Sequence, residues 1–174
     1  MKLTNFAIRS IIITKHIDLL GLIEVHSMKI STKGQYGLRA MVDLAIYSAG
    51  GQIPLNSIAE RQNLSVGYLE QVFSSLRKAG LVKSVKGPQG GYSLARSASE
   101  ITVGDVLRTL EGDLSVVEKL DERQNTDNDI EYCITNEVWK KIDQSISEVV
   151  DSITLEDLVV AYKKFNNMGL IYYI

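Results

Sequence analysis

Residues 63–96 read NLSVGYLEQVFSSLRKAGLVKSVKGPQGGYSLAR, and this stretch decides the architecture. Asn63-Leu64-Ser65 is a short polar turn. Ser65 is placed to cap a following helix by accepting a hydrogen bond from its first turn. Leu69, Val72, Phe73 and Leu76 recur at three- and four-residue steps, the inward stripe of that helix. Its outward positions are Gly67, Tyr68, Glu70, Gln71, Ser74 and Ser75, with Arg77 and Lys78 near the end. After Gly80, the segment from Leu81 to Lys86 alternates as a strand does. Gly87-Pro88-Gln89-Gly90-Gly91 is a turn, and the segment from Tyr92 to Arg96 alternates again. A β-hairpin with a glycine-rich tip is therefore expected directly behind a helix with a polar outer face.

Upstream, Thr32 and Gln35 have the spacing of a capping box, which predicts a helix from about Lys33. Leu38, Met41, Val42, Ala45 and Ile46 give it one buried face, and Gly50-Gly51 stops it. Pro54 and the Ser57-x-x-Glu60 pair announce a second, shorter helix containing Ile58 and Ala59. Two helices joined by a three-residue turn, the second with a hydrogen-bonding face, make a helix-turn-helix, and the hairpin behind it makes a wing. The expected fold is mainly α, an α+β winged helix-turn-helix followed by a long C-terminal dimerisation helix.

The charge distribution agrees. The whole chain of 174 residues carries a net charge of -2. Residues 29–96 carry 9 basic and 3 acidic side chains, while residues 97–174 carry 7 basic and 16 acidic ones. A basic block beside an acidic one is expected when one half meets a polyanion and the other does not.

In the acidic half, Thr102 and Asp105 cap a helix carrying Val103, Val106, Leu107 and Leu110 that ends at Gly112. Residues 121–131 are polar and acidic and read as a loop. A long helix is expected from Asn136. Its Trp139, Ile142, Ile146, Val149 and Ile153 follow the 3, 4, 3, 4 spacing of a heptad seam, which suits a homodimer interface. The plainer alternative is that this stripe packs inside its own chain. Thr154-x-x-Asp157 should cap one more helix.

Residues 1–27 contain the apolar run Ile11-Ile12-Ile13, but Lys15, His16 and Asp18 interrupt it. It therefore fits neither a signal peptide nor the roughly 20 apolar residues of a membrane span. Met28-Lys29-Ile30-Ser31 reads as a natural start, and residues 1–27 are expected to be a mis-assigned start or a disordered extension. The organisation expected is thus a leader over 1–27, a DNA-binding domain over 28–96, and a dimerisation and signal-sensing region over 97–174.

Within the basic block, Lys33, Tyr36, Arg39, Arg77 and Lys78 are candidates to hold phosphates, which would make affinity salt-dependent. Tyr68, Glu70, Gln71 and Ser74, with Ser65 at the helix start, are candidates to face base edges in the major groove. The hairpin tip, with Lys86, Gly87, Gln89, Gly90 and Gly91, is a candidate to reach the neighbouring minor groove. Each has a plainer reading. Tyr36, Tyr68 and Tyr92 also suit an interfacial core, and the Gly-Pro-Gln-Gly-Gly run alone is an ordinary turn that lacks the Gly-Lys-Ser/Thr of a phosphate loop. Order and charge together favour duplex DNA as the partner. A winged helix serving as a protein-interaction adaptor is the competing class, and it predicts no salt-sensitive binding to DNA.

Enzymatic readings find little to build on. Both histidines, His16 and His26, precede Met28, and no Ser/His, Cys/His or metal-ligand constellation follows. Cys133 is the one cysteine, so an intramolecular disulfide is impossible and a reducing, cytoplasmic compartment is the default. For a redox role, only Lys140 and Lys141 would lower its pKa, and two acidic neighbours oppose them.

With these residues in view, the chain from Met28 onward resembles the Rrf2 family of bacterial winged-helix regulators. The resemblance is carried by Lys29 to Arg39, Ser57-Ile-Ala-Glu60, Ser65 to Gln71, Leu76 to Tyr92 and Ile101-Thr-Val-Gly-Asp-Val-Leu107. Many members hold an iron–sulfur cluster on three cysteines between the fourth helix and the dimerisation helix. Glu111 to Glu131 contains none, so no cofactor is expected. Glu111 to Glu118, Asp151 to Leu158 and the terminal Tyr172-Tyr173-Ile174 resemble the cluster-free branch that represses cysteine-metabolism genes. That resemblance implies a nucleoid-associated repressor of sulfur-assimilation genes. It also implies a partner, cysteine synthase (O-acetylserine thiol-lyase), docking on Tyr173 and Ile174. The alternative within the family is a regulator of other stress or iron–sulfur genes.

Overall fold

The computed structural model of the chain describes residues 30–48, 51–87, 90–117 and 129–171. The leader, Gln89, most of the acidic loop and the terminal Tyr173-Ile174 lie outside the described residues.

Helix α1 spans Thr32–Tyr47 and starts one residue earlier than its sequence predicts. Ser31, not Thr32, is the cap: its Oγ accepts from the Lys33 N–H at 3.1 Å and the Gly34 N–H at 3.4 Å. Gln35, expected in the capping box, instead donates its side-chain amide to the Ile30 carbonyl at 2.8 Å. The choice between the adjacent hydroxyls is made from outside the helix, because Ser31 Oγ donates to Glu111 Oε1 at 2.6 Å.

Helix α2 spans Leu55–Gln62 behind Pro54, whose fixed φ starts the helix without a side-chain cap. Ser57, read as part of the starting signal, lies inside it. Asn63 closes α2 in the left-handed region (φ 53°), which turns the chain straight into the next helix. Helix α3 spans Val66–Lys78, and its expected cap is present: Ser65 Oγ accepts from the Tyr68 N–H at 3.3 Å. All four residues of the inward stripe, Leu69, Val72, Phe73 and Leu76, are fully buried.

Strands β1 (Val82–Val85) and β2 (Gly91–Leu94) pair antiparallel, Val82 opposite Leu94 and Val85 opposite Gly91. The hairpin is fastened at two further points. Ile53 exchanges both backbone hydrogen bonds with Tyr92, at 2.8 and 2.9 Å. Tyr92 also meets Phe73 edge-on at 4.7 Å. A side chain at Gly91 would run into the Ile53 carbonyl, so this close approach requires glycine.

Helix α4 spans Val103–Glu111 and carries the expected reciprocal box between Thr102 and Asp105. It packs on α1 and α3. The next helical run begins at Asp129, earlier than Asn136. It comprises α5 (Asp129–Ile134), a wide π turn (Thr135–Trp139) and α6 (Lys140–Ser152). Asn136 lies inside this run, its side chain donating back to the Tyr132 carbonyl at 2.8 Å. Ile153 is extended, and its carbonyl accepts from the Val103 N–H at 2.8 Å. Helix α7 (Leu155–Ile171) begins at the expected Thr154/Asp157 pair, the Asp157 N–H donating to Thr154 Oγ1 at 3.1 Å.

The core is shared. Met41, Leu44, Ile58, Leu69, Phe73 and Leu76 form one cluster with Ile101, Val106, Leu110 and Leu155. The winged helix therefore does not close its core alone: α4 and the first residue of α7 complete it. Truncating Phe73 at its centre would cost about 3–5 kcal/mol. No helix among the described residues is long and apolar enough to cross a membrane.

Candidate nucleic-acid interface

The outward face of α3 is offered much as its spacing predicts. Ser65, Gly67, Glu70 and Gln71 are exposed, Ser74 is half-buried, and Arg77 and Lys78 are exposed at the C-terminal end. Ser75 turns inward on its own helix, its Oγ donating to the Gln71 carbonyl at 3.3 Å. Glu70 and Gln71 thus stand on the face opposite Val72, Phe73 and Leu76, where a major-groove contact needs them.

Tyr68 departs from expectation. It is half-buried, and its hydroxyl is closed off from solvent with no hydrogen-bond partner among the described residues. Its ring stands edge-on to Tyr36 at 6.1 Å. Burial, then the neighbouring Tyr36 and Glu111, push the phenol above its ordinary pKa. A hydroxyl so enclosed is not presented to a base edge, and the ring packs α3 on α1 through Tyr36.

Both candidate phosphate-binding arginines are already engaged. Arg77 Nη1 donates to Ser84 Oγ at 3.1 Å, which ties the end of α3 to the first wing strand. Arg39 Nη2 donates to the Gln62 carbonyl at 2.9 Å and to Gln62 Oε1 at 3.2 Å, and its guanidinium lies 5.4 Å from the centre of the Tyr36 ring. Lys33 and Tyr36 lie half-buried on the first turns of α1, and the Arg39–Gln62 bonds join α1 to the end of α2.

Behind it sits a group that the sequence reading passed over. Asp43 is 2% exposed, on the buried side of α1. It accepts from Arg61 Nε at 3.0 Å and Nη2 at 2.6 Å, and from Gln62 Nε2 at 2.8 Å. Asp43 in turn holds the Arg61 guanidinium above its ordinary pKa. Arg61 also lies over the Tyr47 ring at 4.1 Å. The signal in the sequence was a carboxylate between Val42 and Leu44, on the apolar face of an amphipathic helix. Such a group must be paired when buried.

On the wing, Lys86 and Gly87 are exposed, Gly90 and Gly91 are half-buried, and the Gly90 N–H closes the turn on the Gly87 carbonyl at 2.8 Å. The Arg77–Ser84 bond places this hairpin beside the C-terminal end of the recognition helix.

On the expected dimer seam, Trp139, Ile142 and Ile146 are half-buried and Val149 is 59% exposed, and α6 buries none of its residues fully. Ile153 falls past the end of α6, on extended backbone. The seam is held to the body from behind. Asp143 accepts from Ser115 Oγ at 2.6 Å and the Val116 N–H at 2.8 Å, and Asp151 pairs with Arg108.

The profile of the Rrf2 family, described as an iron-dependent transcriptional regulator, matches residues 30–161. The HTH-type transcriptional regulator CymR of Bacillus subtilis is 48% identical over 131 residues, spanning 75% of this chain and 89% of that protein. The solved structure of CymR (YrzC), the global cysteine regulator of B. subtilis, superposes with a TM-score of 0.65 at 47% identity, covering 76% of this chain and 97% of that one. The structure of T. potens IscR superposes with a TM-score of 0.61 at 49% identity, covering 77% of this chain and 88% of that one.

Among the described residues, the iron in the family description finds no fitting donor set. A cluster needs several thiolate ligands. Cys133, exposed on α5, is the single cysteine of the sequence. No group of three or more His, Cys, Asp or Glu side chains among the described residues could hold a metal ion.

Proposed function

The chain belongs to the Rrf2 family of transcriptional regulators, and from that premise we propose that it is a sequence-specific repressor of cysteine and sulfur metabolism genes that binds duplex DNA as a homodimer. One observation carries this reading: α3 presents exposed Glu70 and Gln71 beside a wing that Arg77 fastens to the same helix. That pairing fits one element in the major groove with a hairpin against the adjacent backbone or minor groove. A two-fold dimer through Trp139, Ile142, Ile146 and Val149 would set two recognition helices about one helical turn apart. The cytoplasm, at the nucleoid, is its place of action.

Likeness to the global cysteine regulator of B. subtilis supports the choice of target genes. The donor set argues for a signal carried by something other than a resident cluster. The resemblance of the C-terminal segment to the cysteine-repressor branch proposes cysteine synthase, received through Tyr173 and Ile174, as that signal. Genomic footprinting with and without cysteine starvation tests the regulon. Occupancy should concentrate upstream of sulfur-assimilation genes and fall on starvation, and footprints confined to unrelated promoters would refute the assignment. Failure to bind any duplex, even in dilute buffer, would leave the adaptor reading in its place.

A further inference from the structure

We propose that Asp43 and Gln62 are positioning residues of the DNA interface, which together hold Arg39 ready for a phosphate. The inference rests on the DNA-binding reading above and goes beyond it, because neither side chain is among the DNA contacts proposed there. Gln62 stands between Asp43 and Arg39, donating from Nε2 to Asp43 Oδ2 at 2.8 Å and accepting at Oε1 from Arg39 Nη2 at 3.2 Å. The chemistry of its neighbours fixes which way round the amide lies. An ionised carboxylate only accepts and a guanidinium only donates, so the NH2 must face Asp43 and the oxygen must face Arg39.

The anchor of this relay is buried and paired. Asp43 is 2% exposed and also receives the Arg61 fork at 3.0 and 2.6 Å. From there the order passes outward. The Gln62 carbonyl and side chain both receive Arg39 Nη2, and the Tyr36 ring lies beneath the guanidinium. Arg39 itself is exposed and has further N–H groups for a phosphate. An arginine left loose would lose its rotamer freedom on meeting DNA, and one already docked on Gln62 and Tyr36 loses less.

The test is a double-mutant cycle on the full-length dimer, using as probe a duplex that the wild-type protein selects from a random-sequence pool. Arg39→Ala should weaken binding and reduce the slope of log K against log salt by about one phosphate contact. Gln62→Leu should weaken binding about two- to tenfold at an unchanged salt slope, since the charge is kept and only its order is lost. In the Arg39→Ala background, Gln62→Leu should have no further effect. Asp43→Asn should behave as Gln62→Leu does; should that variant fail to fold, the Gln62 arm decides alone. Equal loss from Gln62→Leu with and without Arg39 overturns the proposal while leaving DNA binding intact, as does an Arg39→Ala variant that binds normally. Recovery of no duplex by the wild-type protein refutes the underlying reading, and the proposal with it.

Discussion

Arg108 and Asp151 clasp each other through two parallel hydrogen bonds, Nη1 to Oδ1 at 2.6 Å and Nη2 to Oδ2 at 2.9 Å. The pair joins α4, which closes the core of the winged helix, to the end of α6, which carries the proposed dimer seam. Gly104, one turn before Arg108, leaves room for it: a side chain there would overlap the Asp151 carboxylate. The arginine fork matches the carboxylate geometrically, so the joint fixes an orientation as well as a distance.

This joint carries a pH dependence. The Arg108 hydrogen bond holds the Asp151 carboxyl below its ordinary pKa, and Thr154 does the same for Asp157. A carboxylate whose folded pKa is depressed adds stability above its unfolded value and loses it as pH falls through the folded value. Thermal melts should therefore show stability lost on the acid side, from the ordinary carboxylate range downward. Asp151→Asn should make that acid limb shallower. An identical acid limb in the variant would show that the clasp carries none of it.

Glu111 reaches back to the start of α1, accepting from Ser31 Oγ at 2.6 Å and the Ser31 N–H at 3.4 Å. It thereby orients the hydroxyl that caps α1 and places a negative charge at the helix N-terminus, where it is favoured. Glu111→Ala should cost about 1 kcal/mol of unfolding free energy, the typical value of a helix cap. It should also weaken DNA binding through the displaced first turn bearing Lys33. Chemical denaturation and duplex titration of the same preparation measure both.

Tyr68→Phe is expected to be neutral or to stabilise the protein by up to about 1 kcal/mol, because it removes a buried hydroxyl that has no partner among the described residues. Preference among duplexes should not change. A loss of discrimination between cognate and scrambled duplexes would restore Tyr68 to the base-reading face.

Gln71→Ala and Lys86→Ala should separate base reading from backbone holding. Loss of an exposed amide in the major groove should narrow the gap between cognate and scrambled duplexes by about 1–3 kcal/mol. Loss of the wing lysine should weaken both duplexes alike and lower the salt slope by about one. Competition titrations at several salt concentrations distinguish the two patterns.

Val149→Glu should split the dimer while leaving the protomer folded. Val149 is 59% exposed, so the change costs the isolated chain little. Across the two-fold axis of the proposed dimer the same carboxylate would appear twice in one apolar seam. Sedimentation should show monomers at concentrations where the wild type is dimeric, with DNA affinity reduced in step. A variant that remains dimeric would move the interface elsewhere.

What the sequence determined by itself was whatever a few neighbouring residues settle among themselves. The caps at Ser65, Thr102 and Thr154 were legible because each is a hydrogen bond to a backbone N–H three residues on. The stripe of Leu69, Val72, Phe73 and Leu76 was legible because helical spacing alone puts it on one side. The helix-turn-helix follows from those two kinds of signal, and the wing from strand alternation on both sides of a glycine-rich turn. The tertiary structure decided the rest. It chose Ser31 over Thr32 as the cap of α1 through a carboxylate 80 residues away. It enclosed the hydroxyl of Tyr68, and it paired Asp43, a carboxylate on an apolar face, with Arg61 and Gln62. Each of those outcomes depends on which groups meet across the chain, and hydrogen-bond energy at 3 Å carries no trace in local spacing.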